Sequence, residues 1–98
     1  MDRIRLLTGN SNIELAKKIS SHLQVEITAS KVSRFSDGEV EVEIRENVRG
    51  RNVFIIQSTS SPANEHLMEL LIMIDALKRA SARRITAVVP YLSLIHIS

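Results

Sequence analysis

Apolar and polar residues follow two rhythms along this chain, and the places where the rhythm changes divide it into elements. Ile4 to Thr8 is a short apolar run ending at Gly9-Asn10, which predicts a buried strand and a turn. Ser11-Asn12-Ile13-Glu14 then fits a capping box, with the Ser11 hydroxyl accepting from the Glu14 amide. Leu15, Ala16, Ile19 and Leu23 recur at helical spacing, predicting an amphipathic helix over 12–23. Residues 25–34 are weakly patterned, with a short strand at Val25 and Ile27 and another over 31–35. Val40, Val42 and Ile44 alternate strictly with Glu39, Glu41, Glu43 and Arg45. A period of two with one charged face is the mark of a strand that has one side in water, antiparallel or at an edge.

After a turn at Asn47 and Gly50, Val53-Phe54-Ile55-Ile56 is apolar on both faces, as a central parallel strand must be. Ser61 or Asn64 is placed to cap the next helix, read over 67–80. Apolar residues run round most of its circumference, which predicts that it is largely buried, and Lys78 and Arg79 suit the negative end of its dipole. Residues 85–89 form a last continuous apolar strand, ended by Pro90. Alternating β and α units imply one α/β domain: an open, mostly parallel sheet with helices on both faces and a β-hairpin or edge strand near residues 31–45. The 85–89 strand would need a further helix to cover it, and the sequence supplies none.

Composition narrows the function classes. Of 98 residues, 44% are hydrophobic and 24% charged, so the chain has material for a core and is not of the disordered class. The net charge of +2 is spread out; Lys17-Lys18 and Arg83-Arg84 are isolated pairs, and no basic run points to nucleic acid. Absence of cysteine excludes disulfides, thiolate catalysis and Cys-based metal sites. No stretch approaches the ~20 apolar residues of a membrane span, and no apolar h-region follows Met1-Asp2-Arg3-Ile4, so a cytoplasmic location is expected.

Candidate chemistry is sparse. His22, His66 and His96 are far apart and lack partners at metal-ligand spacing, no serine stands in a nucleophile elbow, and Gly9, Gly38 and Gly50 are too scattered for a phosphate-binding fingerprint. What remains is the loop Arg34-Phe35-Ser36-Asp37-Gly38-Glu39. Phe35 can stack on a nucleobase for ~1–3 kcal/mol, and the carboxylates of Asp37 and Glu39 can accept from an exocyclic amine. Taken alone, the same residues fit a β-turn whose Phe35 fills the core.

That loop, together with Glu46-Asn47-Val48-Arg49-Gly50, Ile55-Ile56-Gln57-Ser58, the run from Asn64 through Leu67-Met68-Glu69-Leu70 to Asp75-Ala76-Leu77, and Ser81-Ala82-Arg83-Arg84-Ile85-Thr86-Ala87-Val88-Val89-Pro90-Tyr91, resembles ribose-phosphate pyrophosphokinase of the bacterial, phosphate-activated class. The blocks occur in the family's order over residues 3–91. The resemblance implies a phosphoribosyltransferase-like fold, truncated, the first of two such domains. It also implies a reaction, transfer of the diphosphoryl group of Mg-ATP to the C1 hydroxyl of ribose 5-phosphate, and a homo-oligomer, a hexamer. It assigns Phe35, Asp37 and Glu39 to adenine binding in a neighbouring subunit's active site, and Asn47, Arg49 and Ser81 to a regulatory phosphate/ADP site at a subunit interface.

The resemblance stops at Tyr91. Where the family continues with ATP-gripping residues and a histidine that holds Mg²⁺, this chain reads Leu92-Ser93-Leu94-Ile95-His96-Ile97-Ser98. Residues 1–91 are therefore expected to be an incomplete N-terminal domain and 92–98 a foreign tail, with no catalytic residue and no Mg²⁺ ligand in the chain and no activity of its own. A non-catalytic regulatory homologue and a standalone nucleotide-binding or assembly module are the alternatives.

Overall fold

In the computed structural model the described residues are 4–34, 39–58 and 63–89. Their elements are β1 (Ile4–Thr8), α1 (Ile13–Leu23), β2 (Ser30–Arg34), β3 (Val40–Ile44), β4 (Asn52–Ile56), α2 (Ala63–Arg79) and β5 (Arg84–Val88). β4 lies between β1 and β5, parallel to both, with Leu7 opposite Ile55 and Val53 opposite Ile85. The weakly patterned stretch after α1 touches the outer edge of β1 through a single parallel bridge, Ile27 to Leu6, and the Thr28 amide donates to the Leu6 carbonyl at 2.7 Å.

Strand alternation sorts the core onto two faces. Leu7, Val53 and Ile55 point to one side, where Leu70, Met73 and Leu77 of α2 bury against them. Leu6, Phe54, Ile56 and Val88 point to the other side, where Ile19 and Leu23 of α1 stand. Right-handed crossovers account for this: α1 carries the chain outward from β1, α2 carries it the opposite way from β4, and the two helices must take opposite faces. β2 and β3 pair antiparallel as a separate hairpin, with Val32 opposite Val42. Val42 and Ile44 pack onto the α2 core while Glu41 and Glu43 stay exposed, as the period-two pattern requires. The α/β class, the parallel core, the helix on each face and the hairpin all match the sequence reading.

Two expectations need correction. Ser11 does not cap α1. Asn12 does, its Oδ1 accepting from the Leu15 amide at 3.1 Å, because the Ser11 hydroxyl is taken up by contacts beyond the helix. α2 begins at Ala63 and is less buried than its composition suggests. Met68 and Leu71 are 50% and 52% exposed, since the helix is covered by the sheet and the hairpin on only part of its circumference.

On the α1 side, a depression remains between the helix and the sheet, although Ile56 of β4 is itself buried. Ile4, Leu6, Ile19, Phe54, Ile56 and Val88 line an apolar depression of about 340 Å³. The 98-residue chain is expected to self-associate through this face and the β5 edge as its concentration rises; a monodisperse monomer in light scattering at high concentration would contradict this. A second prediction concerns Thr28, 3% exposed, whose Oγ1 has no hydrogen-bond partner among the described residues. Thr28→Val removes an unsatisfied buried hydroxyl without changing shape, and thermal unfolding should show a gain of about 1 kcal/mol.

Candidate functional site

In an open α/β sheet, ligands sit beyond the carboxyl ends of the strands, at the point where the connections diverge to opposite faces. Here that point lies between β1 and β4. Gly9, Asn10 and Ser11 follow β1 there, and Gln57 and Ser58 follow β4.

Gln57 is fully buried and organises this end of the sheet. Its Oε1 accepts from the Ser11 amide at 3.2 Å and the Ser11 hydroxyl at 2.7 Å. Its Nε2 donates to the His66 carbonyl at 3.1 Å and to Glu69 Oε1 at 3.2 Å. The Ser11 hydroxyl, having donated to Gln57, accepts from the Ser58 amide at 2.7 Å. Glu69, 1% exposed, also accepts from the Asn10 amide at 3.1 Å and from Asn10 Nδ2 at 3.4 Å. The backbone closes the same joint: Gly9 donates to the Ile56 carbonyl, and Gln57 to that of Val88. Three donor groups, the Asn10 amide, Asn10 Nδ2 and Gln57 Nε2, converge on the Glu69 carboxyl group.

Gln57 and Glu69 lie within the family-like blocks, but neither has a role from the sequence alone. A signal was present. Gln57 falls on the same strand face as Val53 and Ile55, and Glu69 lies four and eight residues before Met73 and Leu77, on the buried stripe of α2. A polar residue in line with a core stripe must find buried partners.

The residues the sequence singled out lie elsewhere. Phe35 and Asp37 fall outside the described residues. Glu39 is exposed, one residue before β3. Asn47, Arg49 and Ser81 are brought together at the opposite end of the sheet, where the chain enters β4 and β5. Asn47 Oδ1 accepts from the Arg49 amide at 3.0 Å, the Gly50 amide donates to the Ser81 carbonyl at 3.0 Å, and the Arg51 carbonyl accepts from the Arg83 amide at 2.8 Å. Two loops carrying Arg49, Arg51, Arg83 and Arg84 are thereby joined, and Arg49 is exposed.

Ser81 has a left-handed backbone, φ 63°. It ends α2 in a Schellman motif, with Ala82 donating to the Leu77 carbonyl and Ser81 to that of Lys78. Glycine is the usual residue there, so a serine holds the position at a conformational cost. Among the described residues no group of three or more His, Cys, Asp or Glu could hold a metal ion. No helix among them is long and apolar enough to cross a membrane.

Gly9 is held close by this network. A Cβ there would collide with the Gln57 amide, which its hydrogen bonds do not leave free to move. Gly9→Ala should therefore destabilise the fold by roughly 1–3 kcal/mol in chemical denaturation.

Comparison with known proteins agrees with the fold and with the sequence blocks. Residues 4–95 match the family model described as the N-terminal domain of ribose phosphate pyrophosphokinase. The chain is 60% identical over 91 residues to a ribose-phosphate pyrophosphokinase of Pasteurella multocida, covering 93% of this chain and 29% of that protein. It is 61% identical over 88 residues to that of Maricaulis maris, covering 90% and 28%. Phosphoribosylpyrophosphate synthetase from Mycobacterium smegmatis superposes with a TM-score of 0.90 at 45% identity, over 93% of this chain and 30% of that one. A purine phosphoribosyltransferase from Pyrococcus horikoshii, at 14% identity and a TM-score of 0.63, shares the fold. The chain thus spans less than a third of the length of the curated relatives it matches.

Proposed function

The chain belongs to the family of N-terminal domains of ribose phosphate pyrophosphokinase, and from that premise we propose that it is the first part of an enzyme that makes phosphoribosyl pyrophosphate. The match over residues 4–95 carries this reading. In the proposed reaction the C1 hydroxyl oxygen of ribose 5-phosphate attacks the β-phosphorus of Mg-ATP, the bond from that phosphorus to the α,β-bridging oxygen breaks, and AMP leaves. Chemistry of this kind rests on positioning and charge neutralisation more than on covalent participation by the protein.

On this reading Phe35 stacks on the adenine ring, and Asp37 and Glu39 accept from its polar edge in the active site of a neighbouring subunit. Glu39 is exposed one residue before the second strand of a hairpin that is separate from the three-stranded sheet, which supports a role reaching away from that sheet. Asn47, Arg49 and Ser81 form part of a regulatory phosphate or ADP site. Their convergence on two hydrogen-bonded, arginine-bearing loops supports this, since a guanidinium fork matches phosphate oxygens. Mg²⁺ enters with ATP; among the described residues no group of three or more His, Cys, Asp or Glu could hold it. The working form is a homo-oligomer, because half of each base site comes from a neighbour.

A complete enzyme with residues 4–91 in place of the matching segment of the Pasteurella multocida protein tests this reading. It should form AMP from ATP and ribose 5-phosphate. Phe35→Ala should raise its KM for ATP by about tenfold or more, the value of one lost stacking contact. Arg49→Ala should blunt activation by inorganic phosphate with little effect on that KM. An inactive chimera, or unchanged ATP kinetics in Phe35→Ala, would refute the assignment. The 98-residue chain alone should release no AMP above background in the same assay.

A further inference from the structure

The polar network at the carboxyl ends of β1 and β4 is costly for a fold of this size. A buried carboxylate and a buried amide could be replaced by apolar residues of similar volume at little or no loss of stability. Nothing in the packing of α2 on the sheet requires Glu69, since Leu70, Met73 and Leu77 already provide the apolar contact. What the network supplies is direction. Each proton has one consistent place: Ser58 N–H to Ser11 Oγ, Ser11 O–H to Gln57 Oε1, Gln57 Nε2 to Glu69 and the His66 carbonyl. The Asn10 amide adds a second link to Glu69. Apolar contacts would hold the same segments together but would let them slide; a hydrogen-bond chain with fixed donors and acceptors specifies one arrangement.

The joined segments are those that border the crevice: the turn after β1, the first residues after β4, and the second turn of α2. We infer that Gln57, Glu69 and Ser11 are positioning residues, which hold the crevice-lining turns at the carboxyl ends of β1 and β4 in register with each other for the reaction. This rests on the proposed function. They act through Asn10 and Ser58, the backbone they fix, and are not themselves assigned contact with substrate. Displacing a crevice turn by about 1 Å is enough to cost up to two orders of magnitude in rate, because reacting groups must meet at near-attack distance.

The same chimeric enzyme tests this, with Gln57→Met, which keeps the volume and removes both ends of the amide, and Ser11→Ala, which removes only the bridging hydroxyl. Gln57→Met should lower kcat about tenfold or more. KM for ATP and ribose 5-phosphate should change less than about threefold, and the thermal midpoint should stay well above the assay temperature. Ser11→Ala, half-buried and the milder change, should lower kcat in the same direction by roughly fivefold. If Gln57→Met does not fold, Ser11→Ala decides. Two results would overturn the inference: kcat within twofold of the parent in the folded variants, or a loss that follows the fraction unfolded. An inactive parent chimera would overturn the functional reading and this inference with it; an active parent with indifferent variants would overturn the inference alone.

Discussion

Gln57 occupies the position at the end of the central strand where alternation would place another Val or Ile, and the arrangement of the carboxyl end of the sheet follows from that substitution of an amide for a methyl. An amide in a core position must satisfy two donors and two acceptor lone pairs or lose more than burial returns. It does so by drawing on both neighbouring segments: Ser11 from beyond β1, and His66 and Glu69 from α2. The requirement then propagates. Ser11, committed to Gln57, cannot cap α1, so the cap moves to Asn12. Gly9 cannot carry a side chain, because the Gln57 amide fills that space. Glu69 must be on the inward stripe of α2, where composition alone would put an aliphatic residue.

Architecture was legible in the sequence because it rests on local periodicity. The alternation at Val40, Val42 and Ile44, the doubly apolar run at 53–56 and the helical spacing after Asn12 each report which sides of an element meet the core, and the β–α order then leaves few topologies. Burial round a helix was less legible. Met68 and Leu71 are apolar yet half exposed, because how much of α2 is covered depends on where the hairpin and sheet end, not on the composition of the helix. The cap at Asn12 was missed for a related reason: Ser11 and Asn12 are both good caps, and the choice is made by Gln57, 46 residues away.

The candidate sites show the same division. Asn47, Arg49 and Ser81 were proposed from blocks of resemblance, and the fold brings together what the sequence separates by more than thirty residues through one backbone bond, Gly50 to Ser81. Gln57 and Glu69 were not assigned, although both violate a core stripe, and Ser11 was read only as a helix cap. The violation marks a residue as costly without saying what it contacts, and only the parallel register of β1 against β4 shows that the cost falls at the divergence of the two crossovers.

The two ends of this sheet therefore divide the work between different kinds of interaction. At the amino ends of β4 and β5, the exposed Arg49, Arg83 and Arg84 stand where two loops are joined by backbone hydrogen bonds, an arrangement open to solvent. At the carboxyl ends, polar side chains are buried and mutually satisfied, an arrangement that resists change. β4 runs through both, from Asn52 beside the Arg51 carbonyl to Ile56 beside Gln57, with Val53 and Ile55 fully buried between them. A shift of β4 along its axis would have to break its register with β1 and β5 together, since parallel pairing holds it on both edges.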